Sequence, residues 1–218
     1  MPKRFELLVF DWDGTLMDSA AAISASIRAA CGDLELPVPS DRQARFVIGL
    51  GLHDALAHVL PGVDAAIYPK VAERYRHHFL LRDGGTTLFP GAFETIRELR
   101  DGGFMLAVAT GKSRVGLDRA LGATGLKPYF HATRCADEGF SKPHPGMLHE
   151  LMGDLGADSD KTLMIGDTTH DMAMAQNASV ARLGAAYGAH PREELLPFDP
   201  VACVDRFSEL REWLMQHA

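Results

Sequence analysis

Short apolar runs that end abruptly in polar residues recur along this chain. Leu7–Phe10 precedes Asp11-Trp12-Asp13-Gly14-Thr15-Leu16, Met105–Ala109 precedes Thr110-Gly111-Lys112-Ser113, and Leu163–Ile165 precedes Gly166-Asp167-Thr168-Thr169-His170-Asp171. Such runs, bounded by glycine and polar residues, are typical of buried strands. We predict strands at these three places and at Val180–Leu183, with an edge strand at Val201–Val204.

Apolar residues at helical spacing occupy the segments between these runs. Helices are predicted from Phe93 to the stop at Gly102-Gly103, from Arg114, over Gly146–Leu155 with Gly156 as its end, from about Asp171, and over Ser208–Gln216. Gly184–Gly188 is predicted to be a loop. Alternating strands and helices favour a Rossmann-like α/β fold, a doubly wound parallel sheet with helices on both faces.

A segment near the N-terminus lacks the strand pattern. Apolar residues recur there at helical spacing, first at Ile23 and Ile27 and then at Ile67, Val71, Tyr75 and Phe79. Ser19 is placed to cap the first of these helices. We predict a small α-helical cap domain over residues 18–85, inserted into a catalytic core formed by residues 1–17 and 86–218.

Composition excludes several classes of partner. The 218 residues carry a net charge of −7, which disfavours a nucleic-acid or anionic-membrane surface. Three widely spaced cysteines suggest buried thiols rather than disulfides or a zinc site. The apolar stretch after Met1-Pro2-Lys3-Arg4 reaches Asp11 too soon for a signal peptide, so we expect a cytoplasmic protein.

Acidic residues at the strand ends point to a site. Burying one unpaired carboxylate costs several kcal/mol or more, so a pair leaving the core together suggests a divalent metal, although a solvated acidic turn is the alternative. Parallel strands open into one crevice at their carboxyl ends. With the intervening segment Ser141-Lys142-Pro143-His144-Pro145, that crevice would hold Asp11, Asp13, Thr110, Lys142, Asp167 and Asp171.

These motifs, in this order, resemble the haloacid dehalogenase superfamily of phosphotransferases, whose pattern is DxDGT, a Ser or Thr at a strand end, Lys, and GDxxxD. The helical insertion resembles the cap of its phosphoglycolate phosphatase and β-phosphoglucomutase branch. The resemblance implies that Asp11 is the nucleophile and Asp13 the general acid and base. It also implies a Mg²⁺ site at Asp11, Asp167 and the Asp13 backbone carbonyl.

The resemblance implies roles for further residues. Thr110 and the backbone N–H of Gly111 would bind the phosphoryl oxygens, and Lys142 would neutralise charge. Asp171 would orient Lys142 or a metal-bound water from behind the ligands. When each residue is considered alone, the alternatives are Thr110 as a helix cap, Lys142 as a surface residue and Asp171 as an acid favoured at a helix N-terminus.

The predicted cap contains a glycine-bearing loop with Arg45, Gly49, Gly51 and His53, which could fold over the leaving group. Arg45 could bind a carboxylate or second phosphate there, or it could be a solvated helix arginine. Lys112 and Arg114 lie next to the strand end where the phosphate is expected to bind. They could bind substrate or lie on the surface.

We therefore expect a Mg²⁺-dependent phosphatase of a small phosphorylated metabolite, with phosphoglycolate as the first candidate substrate. A β-phosphoglucomutase-like phosphosugar mutase is the nearest alternative, because it shares the same core. A non-enzymatic phospho-accepting or binding protein is the alternative from another class. Asp13 disfavours a dehalogenase. The expected partner is that metabolite, without nucleic acid or membrane, and both a monomer and a homodimer remain open.

Overall fold

A computed structural model describes residues 4–218, without the side chain of Asp83; the first three residues of the predicted core lie outside this range. Its strands, in chain order, are β1 Leu7–Phe10, β2 Met17–Asp18, β3 Thr87–Leu88, β4 Met105–Thr110, β5 Ala132–Cys135, β6 Thr162–Gly166, β7 Ala181–Ala185 and β8 Ala202–Val204. Six of them form a parallel sheet in the order β5-β4-β1-β6-β7-β8. The predicted α/β fold with a parallel sheet is confirmed.

The helices, in chain order, are α1 Ala20–Asp33, α2 Asp41–Phe46, α3 Leu52–Val59, α4 Tyr68–Asp83, α5 Ala92–Asp101, α6 Arg114–Thr124, α7 Gly146–Leu155, α8 Thr169–Asn177, α9 Arg192–Leu195 and α10 Phe207–His217. Short 3₁₀ turns lie at Ala65–Ile67, Lys127–Tyr129, Ser159–Lys161 and Leu196–Phe198. None of the helices in the described part of the chain is both long and apolar enough to cross a membrane.

Strand β1 lies at the centre of the sheet, and helices cover both of its faces. Leu8 and Phe10 belong to the apolar cluster that includes residues of α5, α6 and α10. Leu7 and Val9 belong to the opposite cluster with residues of α7 and α8. This division follows from the alternation of side chains along a strand, and burial on both faces explains why the run is continuously apolar.

The register of the central strands brings their carboxyl ends to one level. Phe10 pairs with Val108 of β4 on one side and with Ile165 of β6 on the other. The residues that follow these strands therefore meet at one edge of the sheet, where open α/β sheets bind their ligands.

Helices α1–α4 follow one another in the chain between the short strands β2 and β3, and their buried side chains form a separate apolar cluster. These two strands pair antiparallel, Met17 with Leu88, so the chain enters and leaves the helical insertion side by side. A capping box between Ser40 and Gln43 starts α2. Ser19 occupies the N-cap position of α1, but its side chain makes no capping hydrogen bond, which differs from the sequence expectation.

Other element bounds also differ from the prediction. Strand β7 continues to Ala185, so Gly184 lies in a strand rather than in the predicted loop, where its small size allows close packing beside Cys203 and Leu195. Strand β5 was not predicted because Ala-Thr-Arg-Cys has no apolar run and lies at the sheet edge. Cys31 and Cys135 are buried as expected, whereas Cys203 is half-buried.

Candidate active site

Acidic side chains gather where β1 and β6 end. Asp11 follows β1, Asp167 follows β6, and Asp171 lies in the first turn of α8. The loop before α7 contributes Lys142, whose Nζ lies 2.7 Å from Asp11 Oδ1 and 2.6 Å from Asp171 Oδ1. All four side chains are buried. The tertiary structure thus joins residues separated by up to 160 positions (171 − 11) in the chain.

The charges in this cluster are unbalanced. Burial, with a smaller contribution from the Asp171 and Asp13 carboxylates, outweighs the Lys142 ammonium and raises the pKa of Asp11 to about 7. Burial also raises the pKa of Asp167 well above its usual range, with Asp11 and Asp171 adding to the effect. Burial alone would lower the pKa of Lys142, but the Asp11 and Asp171 carboxylates outweigh it and raise that pKa. Three buried carboxyl groups thus gather around a single ammonium, which pairs directly with two of them, Asp11 and Asp171.

Two hydrogen bonds and two neighbouring glycines fix the position of the Asp167 carboxylate. Asp167 accepts from Thr15 Oγ1 at 2.8 Å and from the Ala189 N–H at 2.7 Å. A Cβ atom at Gly14, where φ is +84°, or at Gly188 would collide with the Asp167 carboxylate. Glycine is therefore required at both positions for Asp167 to lie here.

Asp171 is held by the start of its own helix. Its Oδ2 accepts from Thr168 Oγ1 at 2.6 Å and from the Thr168 N–H at 3.0 Å, which forms a capping box with Thr168 at the N-cap. Its Oδ1 stays directed at Lys142. One side chain thus starts α8 and anchors the buried lysine.

The cluster fits a hard divalent cation. Asp11, Asp167 and Asp171 each offer an oxygen within 4.8 Å of the others. Asp11 Oδ2 is buried and has no hydrogen-bond partner among residues 4–218. Carboxylate oxygens suit Mg²⁺ better than softer metals, and a dication would compensate the excess negative charge. The sequence predicted the Asp13 backbone carbonyl as a metal ligand and Asp171 as a residue that supports the ligands without binding the metal. In the structure, the Asp171 side chain lies beside those of Asp11 and Asp167.

The Asp13 side chain is directed to other partners. It accepts from Ser19 Oγ at 2.6 Å and forms an ion pair with Lys112 Nζ at 2.9 Å. Lys112 Nζ also lies 4.9 Å from the ring centroid of Phe79, in the helical insertion. Lys112, predicted to bind substrate, therefore links the Asp13 carboxylate to the cap.

Thr110 and Gly111 lie at the end of β4, under the cap. The Thr110 hydroxyl accepts from the Lys112 N–H at 3.2 Å and is buried. A Cβ atom at Gly111 would lie 2.5 Å from the backbone oxygens of Gly49 and Leu50. Only glycine allows the loop between α2 and α3 (residues 47–51), called the cap loop below, to approach the sheet this closely.

Two histidines and a serine of the core attach this loop, and sequence reasoning gave them no role. His170 Nε2 and His190 Nε2 both donate to the Phe46 carbonyl, at 2.8 and 3.0 Å. The Gly51 N–H donates to Ser141 Oγ at 2.8 Å. Burial lowers the pKa of both imidazoles. Single histidines without a periodic pattern carry no sequence signal for such contacts.

A cavity of about 830 Å³ lies between the core and the helical insertion. The core contributes Asp11, Asp13, Thr110, Gly111, Lys112 and other residues to its lining. The cap contributes Gly49 and Gly51 of the loop and also His53, which lies in α3 rather than in the predicted loop. Lys142, Asp167 and Asp171 are buried and are not part of the lining. Arg45 is not part of it either: its Nε donates to Asp41 at 2.8 Å instead, one helical turn away. Arg114 pairs with Glu138.

Carboxylates at the ends of parallel strands, a buried lysine between them and a cavity under the helical insertion form the candidate active site of an α/β enzyme. A family model described as "Haloacid dehalogenase-like hydrolase" matches residues 8–185. The chain belongs to this family.

Relatives and a solved structure agree with this assignment. The chain is 38% identical to "Probable phosphatase IndB" of Dickeya dadantii over 94% of this chain and 91% of that protein. It is 31% identical to a phosphoglycolate phosphatase of Pectobacterium atrosepticum over 93% and 89% of the two chains. A hydrolase from Pseudomonas syringae shares the fold with a TM-score of 0.89 at 21% identity, over 98% and 99% of the chains. The predicted class, a hydrolase of the phosphatase type, is confirmed.

Proposed function

We propose that this protein is a Mg²⁺-dependent phosphatase of a small phosphorylated metabolite, acting through an aspartyl-phosphate on Asp11. The observation that carries the proposal is the position of Asp11: it lies at the wall of the cavity, and one of its oxygens has no hydrogen-bond partner among the described residues. Asp11 thus lies beside the cavity with one carboxylate oxygen that no group in the described part of the chain engages.

The proposed reaction has two steps. An Asp11 oxygen attacks phosphorus and displaces the alcohol oxygen, which takes a proton from Asp13. Water then attacks the phosphorus, gives its proton to Asp13, and releases inorganic phosphate and the free Asp11 carboxylate. Thr110 and the Gly111 N–H would hold phosphoryl oxygens, and Lys142 would reduce the negative charge.

The cation has a supporting place in this scheme. Asp11, Asp167 and either the Asp171 side chain or the Asp13 carbonyl would hold it, and when bound it would neutralise charge on the transferring phosphoryl group. The phosphatase names of the relatives reported above favour hydrolysis over the mutase alternative. The relative from Pectobacterium makes phosphoglycolate the first substrate to assay. A small metabolite as the partner and a cytoplasmic location remain predictions, as do a monomer or homodimer.

Phosphate release from a panel of phosphate monoesters tests the proposal. Asp11→Asn should abolish turnover, and Asp13→Asn should lower it by roughly 10²–10⁴ because it removes the general acid and base. Asp101→Asn, at an exposed position on α5, is the control and should keep full activity. Near wild-type turnover by Asp11→Asn would refute the assignment of Asp11 as the nucleophile.

Metal removal tests the second part of the proposal. Activity should disappear in chelator and return with Mg²⁺ or Mn²⁺. Ca²⁺ should inhibit, because its larger and looser coordination disturbs the in-line geometry. Full activity of the metal-stripped protein would exclude the proposed cation.

A further inference from the structure

Away from the carboxylates, the wall of the cavity is largely hydrocarbon. Ile23 and Ile27 of α1 and Leu50 of the cap loop line it. Tyr75 and Phe79 of α4 also line it, and their rings stack with centroids 5.9 Å apart. A leaving group that extends from the phosphate would therefore contact aliphatic and aromatic side chains of the cap.

The lining also includes three large apolar side chains that are exposed to solvent. Leu80 of α4 is 54% exposed, Val115 of α6 is 80% exposed, and Phe140, in the loop before Lys142, is 69% exposed. They come from three different parts of the chain. Single exposed apolar side chains are ordinary, but several that line one cavity mark a surface that binds an apolar ligand.

The size and charge of the cavity do not favour glycolate as the leaving group. Its volume lies within the range of roughly 300–1,000 Å³ found for pockets that enclose drug-sized ligands, whereas glycolate is a short and fully polar acid. Arg45 does not reach the cavity. Arg76 and Arg119 do line it. However, the acids Asp54 and Asp137 line it as well, so the wall offers no uniformly cationic surface for the carboxylate of phosphoglycolate.

We propose that the leaving group of the substrate is bulky and mainly apolar, with a ring-sized hydrocarbon portion that packs against Ile23, Ile27 and Phe79 and extends to Leu80. This proposal rests on the proposed phosphatase function and names the class of ester that the enzyme prefers. Polar atoms of the leaving group would lie near the phosphate, where Asp13 and Lys112 line the cavity.

Two synthetic esters test the proposal with the Mg²⁺-loaded enzyme. Ethyl phosphate and 2-phenylethyl phosphate release primary alcohols of similar basicity, so the chemical step is matched and the phenyl ring is the difference. Burial of an aromatic side chain is worth enough for a roughly 10- to 100-fold higher kcat/KM with 2-phenylethyl phosphate. Phosphoglycolate should be used less efficiently than 2-phenylethyl phosphate.

Helix α4 provides a matched pair of variants. Leu80 and Leu81 are neighbouring exposed leucines, but of these two only Leu80 lines the cavity. Leu80→Ser should lower kcat/KM for 2-phenylethyl phosphate about three- to tenfold, mainly through KM, and leave that for ethyl phosphate unchanged. Leu81→Ser should change neither value.

The outcomes separate this proposal from the proposed function. If kcat/KM for ethyl phosphate or phosphoglycolate equals or exceeds that for 2-phenylethyl phosphate, the proposal of an apolar leaving group is wrong, whereas the proposed phosphatase function stands. Equal effects of Leu80→Ser and Leu81→Ser would also overturn it. If none of the three esters releases phosphate, and neither does any other monoester of the panel, the proposed function fails and the substrate class fails with it.

Discussion

Replacement of Lys142 by methionine tests how the buried cluster is held together. Lys142 has no exposed side-chain surface, and its ammonium lies 2.7 and 2.6 Å from the carboxylates of Asp11 and Asp171. Methionine keeps much of the volume and removes the charge. The two carboxylates would then lose the cation that they share in the metal-free protein.

The expected cost is large. Removing one partner of a buried ion pair typically costs about 3–5 kcal/mol, because an uncompensated charge stays in the interior. The total stability of a domain is only about 5–15 kcal/mol, so the free energy of unfolding should fall by a substantial fraction. For a chain of this size the midpoint of thermal unfolding should fall by roughly 6–20 °C.

Urea unfolding in chelator, followed by circular dichroism at pH 8, measures this cost. Lys70→Met, at an exposed position of α4, is the control and should stay within about 0.5 kcal/mol of wild type. The double variant Lys142→Met/Asp171→Asn should be more stable than Lys142→Met alone, since it removes one of the uncompensated charges.

The pH dependence has a definite sign. Burial already raises the pKa of Asp11 from 3.8 to about 7, and loss of the ammonium would raise it further. Between pH 6 and 8 the folded variant would then bind a proton that the unfolded chain does not bind, so its stability rises as the pH falls. A loss below about 1 kcal/mol at pH 8, or a deficit that does not shrink toward pH 6, would refute this account of the cluster.

Two further predictions concern the attachment of the cap. Burial lowers the pKa of His190 from 6.5, and its Nδ1 accepts from the Thr169 N–H, so the folded protein holds the neutral imidazole. The contribution of His190 to stability should therefore decrease as the pH falls below about 6.5. His190→Gln should remove this contribution from the pH dependence of urea unfolding, whereas exposed His77→Gln should not; the same pH dependence for both variants would contradict the role of His190. Gly111→Ala should lower kcat/KM at least tenfold, because its Cβ would displace the cap loop. Gly122→Ala, with open space around it, should keep activity and add about 0.4–1 kcal/mol; wild-type kinetics for Gly111→Ala would show that the loop can move aside without cost.

The sequence predicted the chemistry through local patterns. Asp11, Asp13, Thr110 and Asp167 each follow an apolar run, and strand ends in a parallel sheet must meet at one edge. The helical insertion was also visible, because helical spacing replaces the strand pattern over many residues. Local physics fixes these features, since backbone propensity and side-chain burial act on neighbouring positions.

Only the tertiary structure decided which partners these residues have. The pairing of Lys112 with Asp13 depends on β1 and β4 lying side by side in the sheet, and the pairing of Phe46 with two histidines depends on how the cap lies over the core. So does the apolar wall of the cavity, whose isoleucines and aromatic residues look like ordinary core residues in the sequence. A periodic pattern shows that a side chain is buried, but it does not show which residues that side chain packs against. That is set by contacts between residues far apart in the chain.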